Sequence, residues 1–240
     1  MVKKVDILAI GAHPDDIELS AGATVIKSVD QGKVVAIVDL TEGELGSRGT
    51  KFTRYEEAEL ARKIMGVKYR ENLQLGDGFF QEDKESLLKL IVAIRKYQPD
   101  IVFANAISDR HPDHKRGSEF ASRACFLSGL LKIETQLEGV QQDIWRPRAV
   151  YHYIQDRYVK PDLIVDVSDY KDRKFEAIFA YKTQFYNERM QGPVTPISGK
   201  EFIDSLEARL IQFGRDINVK YGEGFTVERT LGVDDISKLL

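Results

Sequence analysis

Three of the four histidines in this 240-residue chain fall in two short motifs, His13-Pro14-Asp15-Asp16 and His111-Pro112-Asp113-His114. Imidazole and carboxylate are the groups that hold a catalytic zinc, which takes three N/O donors from the protein and keeps one position open for water. Two histidines and one carboxylate suffice. Each proline restricts the histidine before it to extended backbone and stiffens the turn, which suits side chains that must converge accurately. A single His-Pro-Asp is compatible with an ordinary strand-ending turn, since Asp and Pro are common turn formers. It is the pair that points to metal-assisted hydrolysis. Cys125 is the only cysteine, so an internal disulfide framework and a Cys-rich zinc site are excluded, and a reducing compartment fits.

Such a pair works only if the fold brings it together, and the hydrophobic pattern predicts that it does. Residues 5–10, 34–40 and 101–104 are short apolar runs that read as buried strands, 69–75 can form a further strand between the last two, and 149–154 and 163–167 look like two more. Helical spacing follows the first strand through Leu19, Ala23 and Ile26 to a stop at Gln31-Gly32. A Thr53/Glu56 capping box opens a helix that Gly66 closes, and further helices are expected over 87–97, roughly 115–133, 170–184 and 201–215. Strands alternating with helices imply a parallel sheet with right-handed crossovers. The expected class is α/β, a Rossmann-like three-layer fold with a mostly parallel sheet, helices on both faces and a less regular C-terminal part, as one domain over 1–240. In the order 3-2-1-4-5, the first and fourth strands are neighbours where the winding reverses, and ligands bind beyond their carboxyl ends. Both motifs fall there.

Composition narrows the partners. Apolar residues make up 42% and charged residues 30%, an ordinary globular balance. With 35 basic and 38 acidic side chains the net charge is -3, so no global positive field draws the chain to nucleic acid or anionic lipid. The apolar run after Lys3 and Lys4 is too short for a membrane span and lacks a secretory cleavage pattern, so a cytoplasmic location is expected. No internal repeat is present.

The AHPDD turn after a leading strand, with HPDH about a hundred residues later, resembles the PIG-L or LmbE-like family of zinc deacetylases acting on N-acetylglucosaminyl conjugates. TEGELGSRGT with Arg54 after it, LGDG at 75–78 and YGEGFTVERTLGV near the C-terminus look like the bacterial subgroup that deacetylates N-acetylglucosaminyl malate in bacillithiol synthesis. Spacing alone does not divide roles between Asp15 and Asp16. The resemblance does: it implies His13, Asp16 and His114 as zinc ligands and Asp15 as the general base that takes a proton from the metal's water. It also places His111 near the oxyanion, able to stabilise it when protonated or to protonate the leaving amine, with Asp113 orienting His111 and favouring its charged form. Asp113 is equally suited to cap the following helix. Fe²⁺ accepts the same donor set as Zn²⁺. Members of the subgroup often form hexamers, so a homo-oligomer is implied.

GELGSRG lacks the spacing of a phosphate loop or a dinucleotide fingerprint. The resemblance instead makes it part of a sugar pocket. There Arg54, and secondarily Arg48, would bind the carboxylates of the aglycone, and Asp77 a sugar hydroxyl; a forked guanidinium suits a dicarboxylate such as malate. Each of these also reads as an ordinary surface charge or salt bridge. The Pro/Gly loop 192–199 is a candidate lid or oligomer contact. His152, in a YHYI strand, reads as a packed histidine, Cys125 as a small core residue and Trp145 as a buried anchor rather than a sugar platform. Two rivals remain open: another amidase or deacetylase on the same scaffold, such as one for a chitin-derived sugar or thiol conjugate, and a metal- or carbohydrate-binding protein without turnover. Asp15 beside a complete ligand set argues against the second, because a structural zinc is normally closed by four protein ligands.

Overall fold

The computed structural model describes residues 2–186 and 192–238. In chain order the elements are β1 (Ile7–Gly11), α1 (Asp16–Ser20), α2 (Gly22–Asp30), β2 (Val35–Thr41), α3 (Lys51–Met65), β3 (Tyr69–Leu75), α4 (Lys84–Tyr97) and β4 (Ile101–Ala104). They continue with α5 (Pro112–Leu127), a small hairpin of β5 (Gln136–Leu137) and β6 (Val140–Gln141), then β7 (Ala149–Tyr153), β8 (Leu163–Asp166), α6 (Lys171–Phe179), α7 (Lys200–Asp216) and β9 (Gly222–Val227).

Seven strands form one sheet in the order β3-β2-β1-β4-β7-β9-β8, parallel throughout except for β9, which runs antiparallel to both of its neighbours. The order 3-2-1-4 is the one expected from the sequence. β1 and β2 are buried along their whole length, as parallel strands covered on both faces must be. Alternation sorts their side chains between two cores. Ile7, Ala9, Val35 and Ile37 pack with α1, α2, α3, α6 and α7, while Leu8, Ile10, Ala36 and Val38 pack with α4 and α5. Cys125 lies in the second core and Trp145 packs at its edge, its Nε1 donating to Pro99 O at 2.8 Å.

Several boundaries differ from the sequence reading, each for a local reason. The helix after β1 is two segments broken at Ala21, and the Glu223 carboxylate accepts from Ala23 N and Thr24 N at the restart. α3 is capped three residues earlier than Thr53/Glu56: Thr50 accepts from Thr53 N, and Thr53 Oγ1 accepts from Thr50 N. α5 starts at Pro112 and ends at Leu127, because Arg95 takes the carbonyls of Ser128, Leu130 and Ile133 that a continuing helix would use. α6 stops at Phe179, beyond which Thr183 turns to bond Glu57 through both its N–H and its hydroxyl. β9 escaped the sequence reading because two of its six residues are glycines, which erase the apolar alternation. A Cβ on Gly222 would meet Ile164 Cγ2 at 2.6 Å, so close packing demands the glycine.

Below the carboxyl ends of β1 and β2 lies a buried charge cluster. Arg70, on β3, makes a bidentate pair with Asp39 of β2 at 2.7 and 2.9 Å and donates to Glu18 of α1 at 2.6 Å, with all three side chains at most 3% exposed. Tyr181 OH donates to the same Glu18 oxygen at 2.9 Å. Two carboxylates share one guanidinium, so its removal strands both. Arg70→Met is expected to lower the unfolding free energy by about 3–5 kcal/mol in urea titrations. An unchanged midpoint and slope would show that this cluster does not hold β2, β3 and α1 together.

Candidate active site

The two motifs meet at the carboxyl edge of the sheet. β1 delivers His13 to Asp16, and β4, paired with β1 in register from Ile7↔Ile101 to Ala9↔Phe103, leads through a loop to His111 and His114. Ring centroids lie 4.7 Å apart for His13 and His111, 5.0 Å for His111 and His114, and 5.6 Å for His13 and His114. One ligand atom from each of these three imidazoles lies within 4.8 Å of the others, and the same holds for His13, Asp77 and Asp113.

Asp16 occupies the centre of the expected ligand set. Its Oδ1 lies 3.1 Å from His114 Nε2, and its Oδ2 accepts from His13 N at 3.0 Å and lies 3.8 Å from His13 Nδ1. Burial opposes its ionisation, but His114 and His13 outweigh that and hold the carboxyl well below the usual range. Burial likewise opposes a charge on His114, yet Asp16 and Asp109 raise its pKa to about 9. Asp109 Oδ2, 2.5 Å from His114 Nδ1, keeps the proton on that nitrogen and turns Nε2 toward Asp16. Burial lowers and Asp113, Asp77 and Asp16 raise the pKa of His13, to about 10. The donor set fits a divalent metal: two imidazoles and a carboxylate converge, and a carboxylate braces one ring from behind.

Asp15 faces a different environment from its neighbour. Its backbone is at φ 120°, ψ -22°, a region that non-glycine residues rarely adopt and that persists where the surroundings enforce it. The turn sends its carboxylate to Arg54 of α3, whose Nη1 donates to Asp15 Oδ2 at 2.9 Å and to Pro14 O at 2.7 Å. Burial pushes the Asp15 carboxyl up to about 7 against the opposing charge of Arg54.

The remaining expected residues are placed less simply. His111 is the N-cap of α5, its Nδ1 accepting from Asp113 N at 3.3 Å, which leaves the proton on Nε2. Burial, His13 and His114 lower its pKa, so the charged form expected for it is disfavoured. Asp113 holds the His111 ring through its backbone N–H rather than through its carboxylate, and it is not the cap: Oδ2 lies 3.3 Å from His13 Nε2 and accepts from Gly78 N at 2.8 Å, while Oδ1 accepts from Arg116 at 2.8 Å. Asp77, expected to meet a sugar hydroxyl, lies 3.0 Å from His13 Nε2 and accepts from Leu45 N at 2.9 Å. Both of its oxygens are already engaged.

A cleft of about 350 Å³ opens over the histidines, within the range of small-molecule sites. Gly43, Leu45, Gly46, Ser47 and Arg54 form one wall, and Thr195, Pro196 and Ile197 of the 192–199 loop contribute to its lining. Arg48 does not line it; its Nε donates to Pro193 O at 2.7 Å and ties the two loops together. Arg110 and Arg209, which sequence reasoning passed over, line it with Arg54, and Asp156 bridges them, 2.6 Å from Arg110 Nε and 3.6 Å from Arg209 Nη2. Also missed were Asp109, five residues before His114, and the amides Asn105 and Gln155. Only proximity in sequence to the second motif could have pointed to Asp109 and Arg110.

Comparison with known proteins places this geometry. A profile of the PIG-L family, described as GlcNAc-PI de-N-acetylase, matches residues 8–125, from β1 through most of α5 and across both motifs. The chain is 30% identical over 194 residues to diacetylchitobiose deacetylase of Thermococcus kodakarensis, covering 77% of this chain and 71% of the relative. It is 27% identical over 190 residues to 4-oxalmesaconate hydratase of Pseudomonas putida, covering 71% and 70%. The crystal structure of a conserved protein from Thermus thermophilus superposes with a TM-score of 0.84 at 32% identity, over 96% of this chain and 98% of that one. Among the described residues no helix is long and apolar enough to cross a membrane. The matched motifs, the sheet order and the length of the shared alignment together mean that the chain belongs to the PIG-L family of de-N-acetylases.

Proposed function

We propose that this protein hydrolyses the acetamide of an N-acetylglucosaminyl conjugate, releasing acetate and a free amine, with N-acetyl-α-D-glucosaminyl L-malate as the substrate. The observation that carries this reading is the meeting of His13, Asp16 and His114 at one edge of a sugar-sized cleft, with Asp15 beside them in a separate electrostatic setting. A zinc ion held by His13, Asp16 and His114, a set that Fe²⁺ also matches, would supply Lewis acidity to the amide carbonyl and lower the pKa of a water toward ~7. Asp15 accepts the proton of the attacking water, and burial, which favours the protonated carboxyl, suits it to that role. His111, neutral with its proton on Nε2, donates a hydrogen bond to the carbonyl oxygen as negative charge develops there. As the C–N bond breaks, its electron pair goes to nitrogen, which takes the proton held by Asp15. Arg54 holds the Asp15 carboxylate in place, and with Arg110 and Arg209 it makes the cleft favourable to an anionic aglycone. A cytoplasmic homo-oligomer is the expected working form.

The Pseudomonas relative supports a second reading, addition of water to an unsaturated polycarboxylate, because the same arginines suit its carboxylates. Acetate release from the N-acetyl conjugate and loss of alkene absorbance from the unsaturated acid separate the two.

Stripping the metal with a chelator should abolish acetate release and re-adding zinc should restore it, while Asp15→Asn should lower kcat at least ~100-fold with zinc still bound. Chelator-resistant turnover would end the metal reading, and an active Asp15→Asn would remove Asp15 as the base. Arg110→Ala should raise KM for the malate conjugate about 10-fold or more and leave that for a neutral N-acetylglucosaminide unchanged. Equal effects on both substrates would argue against an anionic aglycone.

A further inference from the structure

Asp16 is held by two side-chain amides whose orientations are not free, Asn105 from outside the cleft and Gln155 from its lining. Asn105, just past the end of β4, accepts from Ala12 N through Oδ1 at 2.9 Å, so its Nδ2 must be the atom facing Asp16 Oδ2, also at 2.9 Å. Gln155, just past β7, accepts from Ala106 N at 3.1 Å and from Asn105 Nδ2 at 3.0 Å through Oε1. Its Nε2 must therefore donate to Asp16 Oδ1, at 3.0 Å. Two backbone N–H groups thus turn both NH₂ groups onto one carboxylate, one to each oxygen. The remaining lone pairs are left to the His13 and His114 side.

Asn105 is itself anchored. His152 of β7, 3% exposed, places Nδ1 at 2.9 Å from Asn105 O, with Ser118 Oγ at the same distance, and places Nε2 at 3.0 Å from Glu228 Oε1. A carbonyl only accepts, so Nδ1 is the donor. Gly117 of α5 makes room for the Asn105 amide, since a Cβ there would sit 2.9 Å from Asn105 Oδ1. Neither Asn105 nor His152 lines the cleft, so substrate contact does not account for them.

We propose that Asn105 and Gln155 form an amide clamp that sets the Asp16 carboxylate for metal binding, and that His152 is a positioning residue acting on Asp16 through Asn105. This rests on the metal-dependent reading of the site. Second partners of metal ligands typically change affinity 10–100-fold when removed.

The test is zinc affinity, measured by competition with a chromophoric chelator on the full-length protein, with circular dichroism melting alongside. Gln155→Met keeps side-chain length without the amide, and His152→Phe keeps the ring without its nitrogens. Both should weaken zinc binding about 10-fold or more, and kcat at zinc saturation should fall with KM unchanged. His152→Asn, whose amide reaches the position of Nδ1, should recover most of the affinity. A destabilised protein that binds zinc as tightly as wild type would mark a packing role and overturn the proposal, as would wild-type affinity in Gln155→Met if His152→Phe does not fold. Because affinity is read without turnover, a wild type that binds zinc but releases no acetate would defeat the deacetylase reading and leave this inference standing on the same data.

Discussion

Everything at this site depends on keeping one carboxylate, Asp16, ionised while it is 2% exposed. Removing a carboxylate from water costs several kcal/mol unless charge and hydrogen bonds replace the lost solvent. Here the replacements come from four directions: His13 N from its own turn, Asn105 from the end of β4, Gln155 from the end of β7, and His114 from α5. No local segment supplies them. The sheet order β1-β4-β7 is the arrangement that lets three chain segments reach the same two oxygen atoms.

The neighbouring carboxylate shows how little separation is needed for a second role. Asp15 and Asp16 are adjacent and both buried, yet one is pushed up toward neutrality and the other held below the usual range. The difference lies in the backbone. At its positive φ Asp15 pairs with Arg54, while Asp16 is held by His13 N and His114, so a strained turn sorts two identical groups into different electrostatic settings. Arg54, expected from the sequence to meet substrate, therefore serves the site first by restraining Asp15, and its place in the cleft wall leaves it in reach of a ligand.

The family contains deacetylases and, in a relative of comparable similarity, a hydratase. Hydrolysis of an acetamide adds water to a carbonyl carbon, whereas hydration adds it across a carbon–carbon double bond. The cleft walls include the 41–51 and 192–199 loops, joined through Arg48 and Pro193, together with Arg110, Asp156 and the α7 residues Phe202, Leu206 and Arg209. The sheet edge positions the titratable groups, and the walls around it come from other parts of the chain.

Legibility in the sequence followed the range of the interactions. Buried strands such as β1, β2 and 101–104 were readable because parallel strands covered on both faces are written as apolar runs, and the two His-Pro-Asp motifs were readable because their residue types imply chemistry. The early end of α5 under Arg95 and the glycine-bearing β9 were not, since each depends on a partner distant in the chain. By itself the sequence determined the α/β class, the strands that flank the site and the identity of its histidines and aspartates. Only the tertiary structure decided that Asp113 and Asp77 face His13, that Arg54 restrains Asp15, and that Asn105, Gln155 and Asp109 brace the expected ligands. Hydrogen-bond partners across a sheet edge are set by where strands end in space, and that is not a property of any local stretch of residues.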